Sequence, residues 1–217
     1  MQKSIINILL IGCLFLSGCS NSNSNLSPNS NDKVVKPQPK NIDVVQNKID
    51  AMSLDDKIGQ LVIVGLDGYT MNNNTNNLIK DHKVGGFILF RDNVDTSNQL
   101  VSLINSLKTT NSQNKTPLFI SVDEEGGRVS RIPNEIKKLP SNQVIGEKNN
   151  GDLSYNIGGI IAEELKTFGF NMDFAPVLDI NSNTNNPVIG DRAFGNTTDI
   201  VNKLGIRSEE QDRKSTR

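Results

Sequence analysis

The sequence predicts a parallel α/β fold, on three observations. Short apolar runs recur along the chain at Leu61–Leu66, Val84–Phe90, Phe119–Val122 and Met172–Leu178. Runs of this length, rich in Val, Ile and Leu, read as strands buried on both faces of a parallel sheet. Between them lie apolar stripes at helical spacing, Leu100/Leu103/Ile104/Leu107 and Ile157/Ile161/Leu165/Phe168, the second stopped by Gly169. The third observation is where charge begins. The stretch Leu118-Phe-Ile-Ser-Val-Asp-Glu-Glu-Gly-Gly-Arg-Val129 passes from strand directly into three acids, a glycine pair and an arginine. Strands alternating with helices give a parallel sheet with right-handed crossovers. About four such units are present. That makes either a complete small doubly wound sheet or part of an eight-unit barrel.

Lys3 and the apolar Ile5–Leu16 segment, too short to span a bilayer, read as a signal peptide over residues 1–18. Leu16-Ser-Gly-Cys19 has the pattern of a bacterial lipoprotein cleavage site with Cys19 lipidated; cleavage for plain secretion is the alternative. Cys13 falls in the removed segment, leaving no cysteines for a disulfide or a metal cluster. Residues 19–41, dominated by Asn, Ser, Pro and Lys, read as a flexible tether. The folded part is expected over 42–206. Ile42, Val45, Ile49 and Met52 predict an amphipathic helix, and Ser53 with Asp56 marks the start of another. The run Asn72–Asn77 reads as compositional bias. Residues 207–217 contain no apolar residue and are expected to continue neither helix nor strand. Their possible codons spell a sequencing adapter twice, so they read as a non-native tail. The chain carries 23 basic and 24 acidic residues, a balance that points away from nucleic acid.

The junction after Val122 carries the candidate chemistry. On spacing alone it is either a ligand-facing strand end or a loop whose acids cap the next helix. Phe174-Ala-Pro-Val-Leu-Asp-Ile180 repeats the design and is followed by Pro187-Val-Ile-Gly-Asp-Arg-Ala-Phe-Gly195. A carboxylate gripping neighbouring hydroxyls of a ligand, with an arginine alongside, forms strong charge-assisted bonds, and Asp123, Arg131 and Arg192 suit these roles. Each arginine has a structural alternative, an ion pair with a strand-end acid such as Asp179, which itself reads as structural. Glu124 and Glu125 are adjacent on a turn, so they are expected to point apart rather than act as an acid/base pair on one bond. Arg91 lines the mouth of the sheet or forms a surface pair. His82, the only histidine, reads as solvated.

With Leu54-Asp-Asp-Lys-Ile-Gly-Gln60 and Val84-Gly-Gly-Phe-Ile-Leu-Phe90, these stretches make four ordered motifs between Ser53 and Leu204. Together they resemble the N-terminal barrel of glycoside hydrolase family three, most closely its β-N-acetylhexosaminidase branch. The resemblance implies an incomplete TIM (β/α)8 barrel, cut after about four βα units. It also implies that Asp123, Arg131 and Arg192 bind substrate, and that no metal or organic cofactor is needed. The branch's Lys-His-Phe-Pro-Gly-His-Gly loop and its aspartate nucleophile are expected beyond Leu204, so no catalytic residue is assigned within this chain. The implied activity is a retaining exo-β-N-acetylglucosaminidase acting on peptidoglycan-derived sugars, lipid-anchored outside the cytoplasm. The alternatives are a β-glucosidase or β-xylosidase of the same family, and a non-catalytic sugar-binding lipoprotein.

Overall fold

The computed structural model describes residues 43–215. Cys19, the signal segment and the tether lie outside the described residues, as do Thr216 and Arg217. Helix α1 (Val44–Asp50) is started by Asp43, whose Oδ1 accepts the backbone N–H of Val45 and Gln46. The expected apolar stripe on this helix is not buried: Val45 is 67% and Ile49 42% exposed. Its helical conformation is therefore supported by capping rather than by packing. Helix α2 (Leu54–Gln60) begins as expected, with Ser53 Oγ accepting the N–H of Asp56 at 3.1 Å.

Strand β1 (Ile63–Gly65) is shorter than the apolar run that predicted it, because Leu61 and Val62 turn back onto Ile58 and Gly59 at the end of α2. Helix α3 (Asn73–Lys80) was not foreseen. Its N-cap is Asn72, which accepts from both the backbone and the hydroxyl of Thr75, so part of the Asn run serves as a helix start. Strand β2 (Gly86–Leu89), helix α4 (Ser97–Thr110) and strand β3 (Phe119–Val122) follow the expected order. So do helix α6 (Gly151–Phe168), which ends at a left-handed Gly169, and strand β4 (Met172–Asp173). Helix α5 (Asn142–Lys148) lies between β3 and α6.

β4 is the clearest shortfall, since a strand to Leu178 was expected. The N–H of Phe174 still reaches the carbonyl of Val122, but Pro176 has no N–H and the ladder stops. The last helix, α7 (Thr198–Ser215), corrects the expectation that residues from Arg207 onward continue no helix. Arg, Glu, Gln and Lys favour helix, and Arg207–Glu210 and Arg213–Glu209 pair at helical spacing.

All strand pairs are parallel, in the order β1-β2-β3-β4. A doubly wound sheet reverses strand order at a switch point, and this one does not. The sequential order is that of successive barrel staves. Phe87, Leu89, Ile120 and Val122 face the helices and pack with Leu100, Leu103, Ile104, Leu107, Ile161 and Leu165 into the main core. The pairing register places Ile88, Ser121 and Met172 on the opposite face. A second cluster of Ile145, Phe194, Val201 and Leu204 seats the segment that follows β4 against α5 and α7.

Candidate active site

The site grows from the carboxyl end of β3. Side chains alternate along β3, so Ser121 lies on the face opposite Val122, and Asp123 and Glu124 follow directly beyond the end of the strand. Asp123 is half-buried and Glu124 fully buried. Adjacent acids thus do different things. Glu124 accepts the backbone N–H of Arg131 at 2.6 Å and those of Gly126 and Ile132 at 3.3 Å. Its carboxylate is the internal brace of the loop over residues 124–132. Gly126 and Gly127 close that loop with φ of 76° and 57°, a backbone region where a side chain is strained. Added Cβ atoms there would lie 2.6 Å from the Pro140 carbonyl and from Ser141 Cβ respectively.

Glu125 turns toward the segment after β4. Its carboxylate holds Arg192 side-on, at 2.9 Å from Oε2 to Nε and 2.6 Å from Oε1 to Nη2. Arg192 therefore forms an ion pair, but with Glu125 rather than with Asp179. Asp179 is exposed and makes no hydrogen bond or ion pair among the described residues. Its charge and that of Asp123 nevertheless act on Arg192. The guanidinium is held above its ordinary pKa by the Glu125 hydrogen bonds first, and then by the charges of Glu125, Asp123 and Asp179.

A second tie joins the same two loops. Arg128 pairs with Asp191 at 2.8 Å and donates to the carbonyls of Pro187, Val188 and Ile189. The Arg192 end of the connection is fixed by the burial of Ala193 and Phe194 and by Asn142, which donates to the Arg192 carbonyl. Helix α5 sits so close that a Cβ on Gly146 would meet the Phe194 carbonyl at 1.6 Å.

Arg131 differs from Arg192. It is half-buried, its Nε is buried without a hydrogen-bond partner, and no carboxylate pairs with it among the described residues. Arg91 donates to the carbonyl of Ile132 at 3.0 Å, placing it beside this loop without an ion pair among the described residues. His82 is exposed on a turn, as its polar surroundings indicated.

An acidic layer, absent from the sequence-based expectations, lies behind the site. Asp173 pairs in register with Val122, so it faces the helices, and its Oδ1 accepts the N–H of Glu124. Burial pushes its carboxyl up to about 8, helped by the charges of Asp212, Glu124 and Asp123 and opposed by the Glu124 hydrogen bond. Burial also raises Glu124, while Glu164 on α6 is raised by burial and by the charge of Glu124. The available signal was an acid inside an apolar run, Met172-Asp173-Phe174, a position that buried strands reserve for apolar groups.

Residues 53–210 match the family model described as Glycosyl hydrolase family 3 N terminal domain. Beta-hexosaminidase A of Pseudoalteromonas piscicida is 42% identical over 135 residues, which is 59% of this chain and 23% of that protein. The Beta-hexosaminidase of Nitrosomonas eutropha is 41% identical over 127 residues, 56% of this chain and 35% of its own length. The solved glycoside hydrolase family 3 beta-N-acetylglucosaminidase from Paenibacillus sp. str. FPU-7 has a TM-score of 0.73 at 38% identity, covering 76% of this chain and 32% of that one. NagZ from Neisseria gonorrhoeae, solved with N-trifluoroacetyl-D-glucosamine, has a TM-score of 0.65 at 28% identity, covering 71% and 47%. The chain spans less than half the length of each of these four relatives.

Proposed function

Because the chain belongs to glycosyl hydrolase family 3, we propose that the full-length protein removes terminal β-linked N-acetylglucosamine from its substrates. One observation carries this reading at the level of residues. At the carboxyl end of the parallel strands, the partly exposed Asp123 lies within electrostatic reach of the partly exposed Arg192. Arg131, on the same loop, has no carboxylate partner among the described residues. A carboxylate accepts from two neighbouring hydroxyls and a guanidinium donates to them, which is the pairing a terminal sugar needs. Support for the acetamido sugar comes from relatives named beta-hexosaminidase and from NagZ solved with an N-acylated glucosamine.

In this reading the described residues bind and orient the sugar, and hydrolysis proceeds in two steps through a covalent glycosyl-enzyme. Neither the nucleophile nor the acid/base is assigned to a residue of this chain. The proposal also includes lipid attachment at Cys19 and substrates released from peptidoglycan, supported by the Leu16-Ser-Gly-Cys19 pattern.

The test is a comparison of substrates with the full-length protein. An aryl N-acetyl-β-glucosaminide should be cleaved with a far higher kcat/KM than the matching β-glucoside or β-xyloside. Preference for either of the latter would move the protein to another branch of the family. Binding of sugar without turnover of any of the three would make it a carbohydrate-binding protein.

A further inference from the structure

The partly exposed Arg192 is held by a buried acid with no assigned role, Glu125. The side chain of Glu125 is 3% exposed and that of Arg192 27%. A carboxylate this deeply buried is costly unless paired and hydrogen-bonded, and the side-on grip on Nε and Nη2 supplies both. A guanidinium has five N–H donors in a rigid plane. The grip occupies the Nε–Nη2 side, and two in-plane hydrogen bonds together with the covalent Cδ attachment set the direction of the guanidinium plane. Apart from a long contact of 3.3 Å from Nη1 to the Val188 carbonyl, the end formed by Nη1 and the second Nη2 hydrogen remains for another partner.

A purely architectural role explains the pair less well. The loops after β3 and β4 are already joined by Arg128, through Asp191 and three backbone carbonyls. That exposed tie links the same two segments without burying a carboxylate. We propose that Glu125 is a positioning residue: it orients the Arg192 guanidinium so that its free end meets a sugar hydroxyl, and does not touch the sugar itself. This rests on the sugar-binding role proposed above for Arg192.

The experiment uses the full-length enzyme and an aryl N-acetyl-β-glucosaminide. Glu125→Gln keeps the shape but turns one acceptor into an amide that faces the donors of Arg192. Glu125→Asp keeps the charge and draws the guanidinium back by one methylene. Each variant should raise KM about tenfold or more while lowering kcat by much less, the pattern of lost uniform binding. In an Arg192→Ala background the further effect of Glu125→Gln on kcat/KM should shrink to about twofold or less, because the residue acts through the arginine. Should Glu125→Gln fail to fold, Glu125→Asp decides the matter by the same KM shift.

Near-normal KM in a folded Glu125→Asp or Glu125→Gln enzyme, with Arg192→Ala still impaired, overturns the positioning role and leaves sugar binding by Arg192 intact. Losses that multiply in the double variant overturn it equally. Near-normal kinetics for Arg192→Ala itself would instead remove the sugar-binding reading on which the inference stands.

Discussion

Asp173 occupies a strand position that faces the helical layer, and burial holds its carboxyl up to about 8 against an ordinary value of 3.8. Between those two values the folded protein keeps a proton that the unfolded chain has released. Raising the pH through this window therefore favours unfolding. Below it both states are protonated and above it both are ionised, so the dependence vanishes. Stability is fully present at the acidic end and is lost as pH rises toward 8. Asp173→Asn stays neutral and keeps an oxygen to accept the Glu124 N–H. Its melting temperature should fall less than the wild type's between about pH 5 and about pH 8. Glu124 and Glu164, raised in the same direction, leave a residual slope in both proteins. Parallel slopes would mean that Asp173 does not titrate in this range. Of the site itself, Asp123 stood out because it follows directly on an apolar strand, whereas Arg192 was singled out through the family resemblance. The Glu125–Arg192 pair was not legible, since its members lie 67 residues apart and only tertiary structure brings them together.

At the scale of elements, legibility followed burial and length. The α4 stripe was readable because its apolar side chains share one environment, the core between sheet and helices, and β3 because Ile120 and Val122 enter the same core. Leu107 in that stripe is fully buried. Leu107→Ala should cost about 2–5 kcal/mol by urea denaturation, whereas an exposed position of the same helix such as Ser102→Ala should change stability by about 0.5 kcal/mol or less. Equal effects at the two sites would contradict the assigned face of α4. What was missed was short and poor in apolar residues. α5 has seven residues and just one large buried side chain, Ile145, while α3 depends on an Asn cap hidden in a polar run. The last third of α7 follows from propensity and ion pairs rather than from an apolar face. β4 was over-read because an apolar run says nothing of hydrogen bonding, and Pro176 ends the ladder.

Taken whole, the described residues cover one face of a four-stranded sheet with helices and leave apolar side chains on the other. Phe119 is 51% exposed, and Phe90 and Phe174 nearly as much. Contiguous exposed apolar surface drives association. The 217-residue chain expressed alone should therefore bind a hydrophobic dye and self-associate, as light scattering would show, and full-length protein should do neither. A monodisperse, dye-negative chain would mean that this face is covered within the 217 residues. At the other end, Cys19→Ala should shift the protein out of the membrane fraction or leave it unprocessed, and unchanged fractionation would contradict lipid attachment there. The central claim is that the strand-end loops grip a terminal sugar, and its most direct test is the kinetics of Asp123→Ala in the full-length enzyme. The variant should fold normally, because Asp123 lies outside the apolar core. Its kcat/KM toward an aryl N-acetyl-β-glucosaminide should fall roughly thirty- to a thousand-fold, the loss expected when a charged hydrogen-bonding group is removed. A folded Asp123→Ala enzyme with near-normal kcat/KM would contradict the account and move the sugar site elsewhere.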